Sequence, residues 1–200
     1  MKKTLLVAGF LTVSSLSVIG QSITLLTFES YTFADKFYTE DGFEGKVQDG
    51  FQWGGGLEIA PSDKMAVELI YQQLDTDGYI NYPGAQDEGN VRLSYIMLGG
   101  TRYQPVSEKV SGFGTLDLGL GLASTDATDT YEKFAWGGRL GVRIAPSEKV
   151  SIRLHAQLLS MVQAVGAGFT VGTGGSGAGV TGFSTFYQFN LGGSFNIRLK

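Results

Sequence analysis

Every arginine of this chain falls inside a segment that alternates apolar and polar residues, and every one falls on the polar parity. Arg92, Arg102, Arg139, Arg143, Arg153 and Arg198 stand beside apolar neighbours such as Leu93, Tyr103, Leu140, Val142, Leu154 and Leu199. A strand sends successive side chains to opposite faces. These segments therefore have one apolar face and one face of Arg, Glu, Gln, Ser and Gly. The seven lysines beyond Lys3 fall instead in predicted turns and loops or at the last residue. This is the dyad pattern of a transmembrane β-barrel, apolar outside and polar within.

Length and composition agree. Two hundred residues suit one domain, and low charge (17%) with 12% aromatics argues against disorder. There is no cysteine, which excludes disulfides, thiolate metal sites and a cysteine nucleophile. The basic Met1-Lys2-Lys3, the short apolar run from Leu5 to Val18 and the small residues around Gly20 describe a secretory signal peptide over residues 1–20. The mature domain is then 21–200. Removing Lys2 and Lys3 takes the formal net charge from −4 to about −6, with no basic stripe for nucleic acid.

The periodicity predicts eight strands, near 23–33, 51–60, 65–74, 91–104, 110–123, 134–145, 150–162 and 185–199. The facing of the first is the least determined. In the fourth, the apolar parity Val91, Leu93, Tyr95, Met97 and Tyr103 is predicted to face outward. Lengths of this order match the roughly 9–11 residues that a tilted strand needs to cross a bilayer.

The connections alternate in length. Pro61-Ser62-Asp63-Lys64, Pro105-Val106-Ser107-Glu108-Lys109 and Pro146-Ser147-Glu148-Lys149 are tight turns that recur every 41 to 44 residues. The others, near 34–50, 75–90, 124–132 and 166–182, are long. Short turns on one rim and four long loops on the other predict an all-β, eight-stranded, antiparallel, up-and-down barrel with periplasmic turns and extracellular loops. Phe51, Trp53, Tyr71, Phe134, Trp136, Tyr187 and Phe189 gather near the loop ends and predict an aromatic girdle at the outer interface. Alternation alone also admits a soluble, lipocalin-like barrel with its apolar face inside. Three features favour the membrane form: no lysine on the predicted strands, small residues on the polar face, and bulky aromatics at strand ends.

The repeated unit from Phe51-Gln52-Trp53-Gly54-Gly55 to Pro61-Ser62-Asp63-Lys64 is echoed by Phe134-Ala135-Trp136-Gly137-Gly138 to Pro146-Ser147-Glu148-Lys149. With the closing strand Phe189-Asn190-Leu191-Gly192-Gly193-Ser194-Phe195-Asn196-Ile197-Arg198, it resembles the small eight-stranded outer-membrane barrels of the OmpA, OmpX and opacity-protein type. The resemblance spans nearly all of the mature chain. It implies a monomer in the bacterial outer membrane, inserted by the barrel-assembly machinery and surrounded by outer-membrane lipid and lipopolysaccharide. One departure is the ending Leu199-Lys200, where many members close on an aromatic residue.

Inside an eight-stranded barrel there is just room for side chains. Glu58, Glu68 and Asp117, with Glu29 a weaker candidate, are predicted to pair there with Arg92, Arg102, Arg139, Arg143, Arg153 and Arg198, because a buried charge without a partner is very costly. The two readings are a plugged lumen and a narrow conduit. A third, a lipid-modifying enzyme like the lipid A deacylase barrels, needs an outward His with a Ser two residues on. Here His155 shares the inward parity of Arg153 and is followed by Gln157. No catalytic residue, metal site or cofactor is predicted. The expected role is non-enzymatic, in envelope integrity or surface contact. The alternative is an OmpW-like channel for small or hydrophobic solutes, motivated by predicted inward Ile70, Ile96, Leu98, Phe113, Leu159 and Met161. The acidic loops, with twelve Asp or Glu against Lys36, Lys46 and Lys133, suit a solvated face or weak divalent-ion bridging to anionic glycolipid.

Overall fold

The computed structural model describes residues 22–38, 44–82, 85–125, 128–164, 167–172, 175–180 and 183–200. The predicted signal peptide lies outside them. The regular structure among these residues is entirely β: β1 (Ser22–Thr32), β2 (Asp35–Tyr38), β3 (Glu44–Val47), β4 (Gly50–Ser62), β5 (Met65–Tyr82), β6 (Ala85–Pro105), β7 (Val110–Thr125), β8 (Thr128–Ile144), β9 (Val150–Ala164), β10 (Ala167–Gly172), β11 (Gly175–Val180) and β12 (Phe183–Arg198).

Eight of these close into a barrel in the order β1-β4-β5-β6-β7-β8-β9-β12, each paired antiparallel with its neighbours. The seam joins first strand to last, from Thr24 opposite Arg198 to Thr32 opposite Asn190. Backbone bonds from Ile23 N to Lys200 O (3.1 Å) and Leu199 N to Ile23 O (2.7 Å) finish it. Closure leaves no edge whose N–H and C=O groups would stand unpaired in hydrocarbon. At one rim, local bonds hold two of the three tight turns. Ser147 Oγ accepts from Val150 N at 3.2 Å, and Val106 N and Ser107 N donate to Val110 O at 2.9 and 3.0 Å.

The other rim departs from the prediction. The segment near 75–90 is mostly not a loop, because β5 and β6 remain paired up to Tyr82 opposite Ala85. β7 and β8 likewise continue to Thr125 and Thr128. The β2–β3 hairpin adds to the edge of β5, with Gly45 opposite Ile80. β10 and β11 form a separate hairpin. Lys36, Lys46 and Lys133 consequently lie on strands, contrary to the prediction. Beyond the apolar belt neither face of a strand has to be apolar, so the period-2 signal fades while the backbone ladder continues.

The facing of β1 is now defined. Thr24, Leu26, Phe28, Ser30 and Thr32 point inward and are buried, while Leu25 and Tyr31 point outward. Glu29 also lies on the outward parity and is exposed, so it takes no part in the lumen. β6 reverses the predicted facing. Leu93, Tyr95, Met97 and Tyr103 are buried inside, and Ile96 and Leu98 are exposed on the wall. Register supplies the reason. Directly opposed residues of an antiparallel pair share a face, and Leu98 and Ile96 lie opposite the outward Leu69 and Tyr71.

Candidate functional site

The wall decides which medium surrounds the barrel. Leu25, Leu57, Leu69, Leu98, Leu118, Leu154 and Phe195 are exposed all around it, and Leu116 and Leu140 reach 75% and 71%. A soluble monomer rarely exposes a continuous apolar belt of this kind. The aromatic residues cap the belt toward the long connections. Phe51, Trp53, Tyr71, Phe134, Tyr187 and Phe189 are all exposed, and Trp136 is partly so. Trp136 and Tyr187 flank the buried Ser160 in register and meet edge to face at 6.4 Å. Trp53 meets Tyr71 at 6.3 Å.

The interior is graded along its length. Read upward from the turn on β9, the inward residues are Ser151, Arg153, His155, Gln157, Leu159 and Met161, polar below and apolar above. On β5 the series is Ala66, Glu68, Ile70, Gln72 and Leu74. A buried apolar cluster lines the lumen, with Leu74, Leu93, Leu159 and Met161 in its upper part and Leu26, Ile70 and Met97 nearer the turns. A layer of amides runs between the two parts. Gln157 Nε2 donates to Gln72 Oε1 at 2.9 Å, and Asn190 Nδ2 donates to Gln52 Oε1 at 2.9 Å. Tyr95 donates to Gln188 across the barrel.

The charge cluster lies lower. Arg139 on β8 donates to Glu68 on β5 at 2.8 Å, and to both oxygens of Asp117 on β7 at 3.0 and 3.1 Å. Arg153 on β9 donates to the other oxygen of Glu68 at 2.9 Å and to Glu58 on β4. Tyr103 also donates to Glu58, and Thr101 to Glu68. Thr101 and Thr115 are linked at 2.7 Å. All five ionised side chains are 3% exposed or less. Arginine suits this position because its planar fork serves two carboxylates at once and its face remains free to stack. The Arg139 guanidinium lies 5.0 Å from the Phe28 ring centre, and that of Arg153 lies 5.4 and 5.3 Å from Tyr103 and Phe113. Gly99 makes room for the cluster, since a Cβ there would stand 2.2 Å from Asp117 Oδ1.

The predicted lumen residues therefore divide into three groups. Arg139, Arg153, Glu58, Glu68 and Asp117 are brought together. Arg143 and Arg198 face inward but lie at the short-turn mouth, outside the cluster. Arg92 and Arg102 do not face the lumen, which corrects the prediction for both. They lie on the outward parity of β6 near its two ends, and both are exposed. Arg92 Nε donates to Asp75 Oδ1 at 2.6 Å above the belt, and Arg102 lies next to the turn at the opposite end. At such positions a long cationic side chain reaches interfacial water while its stem covers apolar surface. Thr101, Tyr103 and Tyr95 are partners that parity assignment missed. All three lie on β6, so its correct facing would have revealed them.

Two further sequence readings are located. His155 is buried, edge-on to Phe28 at 6.2 Å, and so does not face lipid. Among the described residues no group of three His, Cys, Asp or Glu is placed to hold a metal ion.

No family model matches the chain, and no curated protein matches it in sequence. Solved structures do match. Neisserial surface protein A (NspA) superposes with a TM-score of 0.63 at 13% identity, over 90% of this chain and 100% of that one. The chain has the fold of the eight-stranded outer-membrane barrels. Two other such barrels agree at a TM-score of 0.51. Ail, the attachment invasion locus protein of Yersinia pestis, is 11% identical over 90% of this chain and 100% of its own. OprG from Pseudomonas aeruginosa is 13% identical over 89% and 96%. At these identities the likeness is one of architecture, so residue roles rest on this barrel's own geometry.

Proposed function

We propose that this chain is a non-enzymatic outer-membrane protein whose lumen is closed by its charge cluster, and that it acts in envelope integrity or in surface contact. The carrying observation is the cluster itself. Arg139 and Arg153 bind carboxylates from β4, β5 and β7, so buried ion pairs tie five of the eight barrel strands across the lumen. The apolar cluster and the amide layer lie above it. Removing one partner of such a network leaves an uncompensated buried charge, so the plug resists local opening. On this reading residues 1–20 direct export, the assembly machinery inserts the barrel, and lipid and lipopolysaccharide meet the belt and girdle. Contact with other surfaces falls to the extended hairpins of the far rim. Reconstituted in planar bilayers, the barrel is expected to give no sustained single-channel steps, and regular, stable steps would overturn the plug.

A second reading is favoured by one feature, the apolar upper lumen. Leu74, Leu93, Leu159 and Met161 would suit a small hydrophobic solute better than an ion. Its test is uptake of a labelled apolar solute into proteoliposomes. Uptake faster than in protein-free vesicles, without ionic conductance, would favour this reading over the plug.

A further inference from the structure

Below the charge cluster, at the short-turn end, the lumen opens into a cavity of about 400 Å³ bounded by Glu58, Tyr103, Arg143 and Arg198 with residues of the turns. Charge is not balanced there. Four guanidinium groups face the interior: Arg139, Arg143, Arg153 and Arg198. Among the described residues the three interior carboxylates, Glu58, Glu68 and Asp117, are all held by Arg139 and Arg153. Arg143 and Arg198 form no ion pair among the described residues, and each keeps a buried Nε without a hydrogen-bond partner there. The guanidinium of Arg143 lies over the Tyr103 ring at 5.1 Å. With that face covered, its edge is what remains for an acceptor. Asp63, Glu108 and Lys109 also border the cavity, but from exposed turns where water screens them.

The geometry points to an anion-binding site in this vestibule, in which Arg143 and Arg198 hold a phosphate-type oxyanion. Two guanidinium groups without carboxylates present fixed donor edges whose natural complement is an oxyanion accepting from each. A buried donor left without a partner costs stability, and an anion supplies the missing acceptors. The phosphate can be free in solution or part of an anionic phospholipid headgroup at the rim. This site goes beyond the plug and does not depend on it, since the vestibule is open at its own end whether or not the lumen conducts.

The test uses the whole folded barrel in zwitterionic detergent, titrated calorimetrically with inorganic phosphate. Saturable binding is expected, weakened about tenfold (about 1.4 kcal/mol) by Arg198→Gln and by Arg143→Gln. Arg102→Gln, which removes the same charge from the outer wall at the same end, is expected to leave it unchanged. Repeating the titration in phosphatidylcholine nanodiscs with and without phosphatidylglycerol separates the sources. Competition by phosphatidylglycerol assigns the site to a lipid headgroup, and equal affinity in the two assigns it to free phosphate. Folding of each variant is checked by the change in gel mobility on boiling that a folded barrel is expected to show, and a variant that lacks it is replaced by the other, because the two arginines lie on different strands. Absence of saturable binding, or equal weakening by Arg102→Gln, overturns the proposal.

Discussion

Strands β8 and β6 carry arginine in the same alternating context, yet they turn it to opposite sides of the wall. On β8, Arg139 lies mid-strand between the outward Gly138 and Leu140, inside the barrel and bonded to two carboxylates. On β6, Arg92 and Arg102 lie near the two ends of the belt, and the apolar residues Ile96 and Leu98 occupy the outward positions between them. Position along the strand makes the difference. A guanidinium at mid-belt has no route to water and must be enclosed and paired, whereas one near a rim can snorkel. Polar parity alone therefore does not assign facing, but polar parity at mid-belt does.

Several substitutions would break or sharpen that contrast. Arg139→Ala should have the largest effect, because it strands Asp117 in the barrel and leaves Glu68 with Arg153 as its one remaining cation, at a cost of about 3–5 kcal/mol. The matched change Arg102→Ala should stay within about 0.5 kcal/mol, as surface substitutions usually do. Urea unfolding in lipid vesicles reads both, and equal losses would erase the distinction drawn here. Leu98→Arg places a cation on the outward face of mid-β6 and should cost about 2–4 kcal/mol in the same assay. If it costs nothing, Leu98 does not face lipid. Gly99→Ala sets a methyl against Asp117 and should cost about 1–3 kcal/mol through overpacking, a loss that Gly100→Ala on the open outer side should not show.

The smallest effect concerns Asp75, above the belt. The hydrogen bond from Arg92, with help from Gln73, holds its carboxyl below the ordinary carboxylate value. A depressed carboxyl stabilises the fold above its unfolded value, and that contribution is lost as pH falls through the folded value. The Asp75–Arg92 tie should therefore persist through mild acid and fade only below the usual carboxylate range. Carbon-detected NMR titration of Arg92→Gln should show the Asp75 midpoint move upward. An unmoved midpoint would show that Arg92 is not its partner in solution.

Much of the barrel was legible in the sequence because lipid and lumen impose opposite demands on alternate residues. That demand acts strongly on β4, β7, β8, β9 and β12, and there the facing follows from the residues. On β6 both parities carry large apolar groups, since Tyr95 and Met97 fill the lumen while Ile96 and Leu98 meet lipid. Only the register against β5 separates the two. The membership of the charge cluster was legible for Arg139, Arg153, Glu58, Glu68 and Asp117. The division of labour was not, because which arginine reaches which carboxylate depends on shear between strands far apart in the chain. The extended hairpins were illegible for a different reason. Above the belt their backbones still pair, but neither face meets hydrocarbon and no period-2 pattern is required.

The chain has no cysteine, so single cysteines can carry spin labels without prior removal of native thiols. Labels at positions 97 and 98 of β6 and at 139 and 140 of β8, in lipid vesicles, would report collisions with membrane-dissolved oxygen. Oxygen should reach positions 98 and 140 readily and be restricted at 97 and 139. High oxygen access at 97 with protection at 98 would turn β6 around and separate Tyr103 and Thr101 from the carboxylates they bind here.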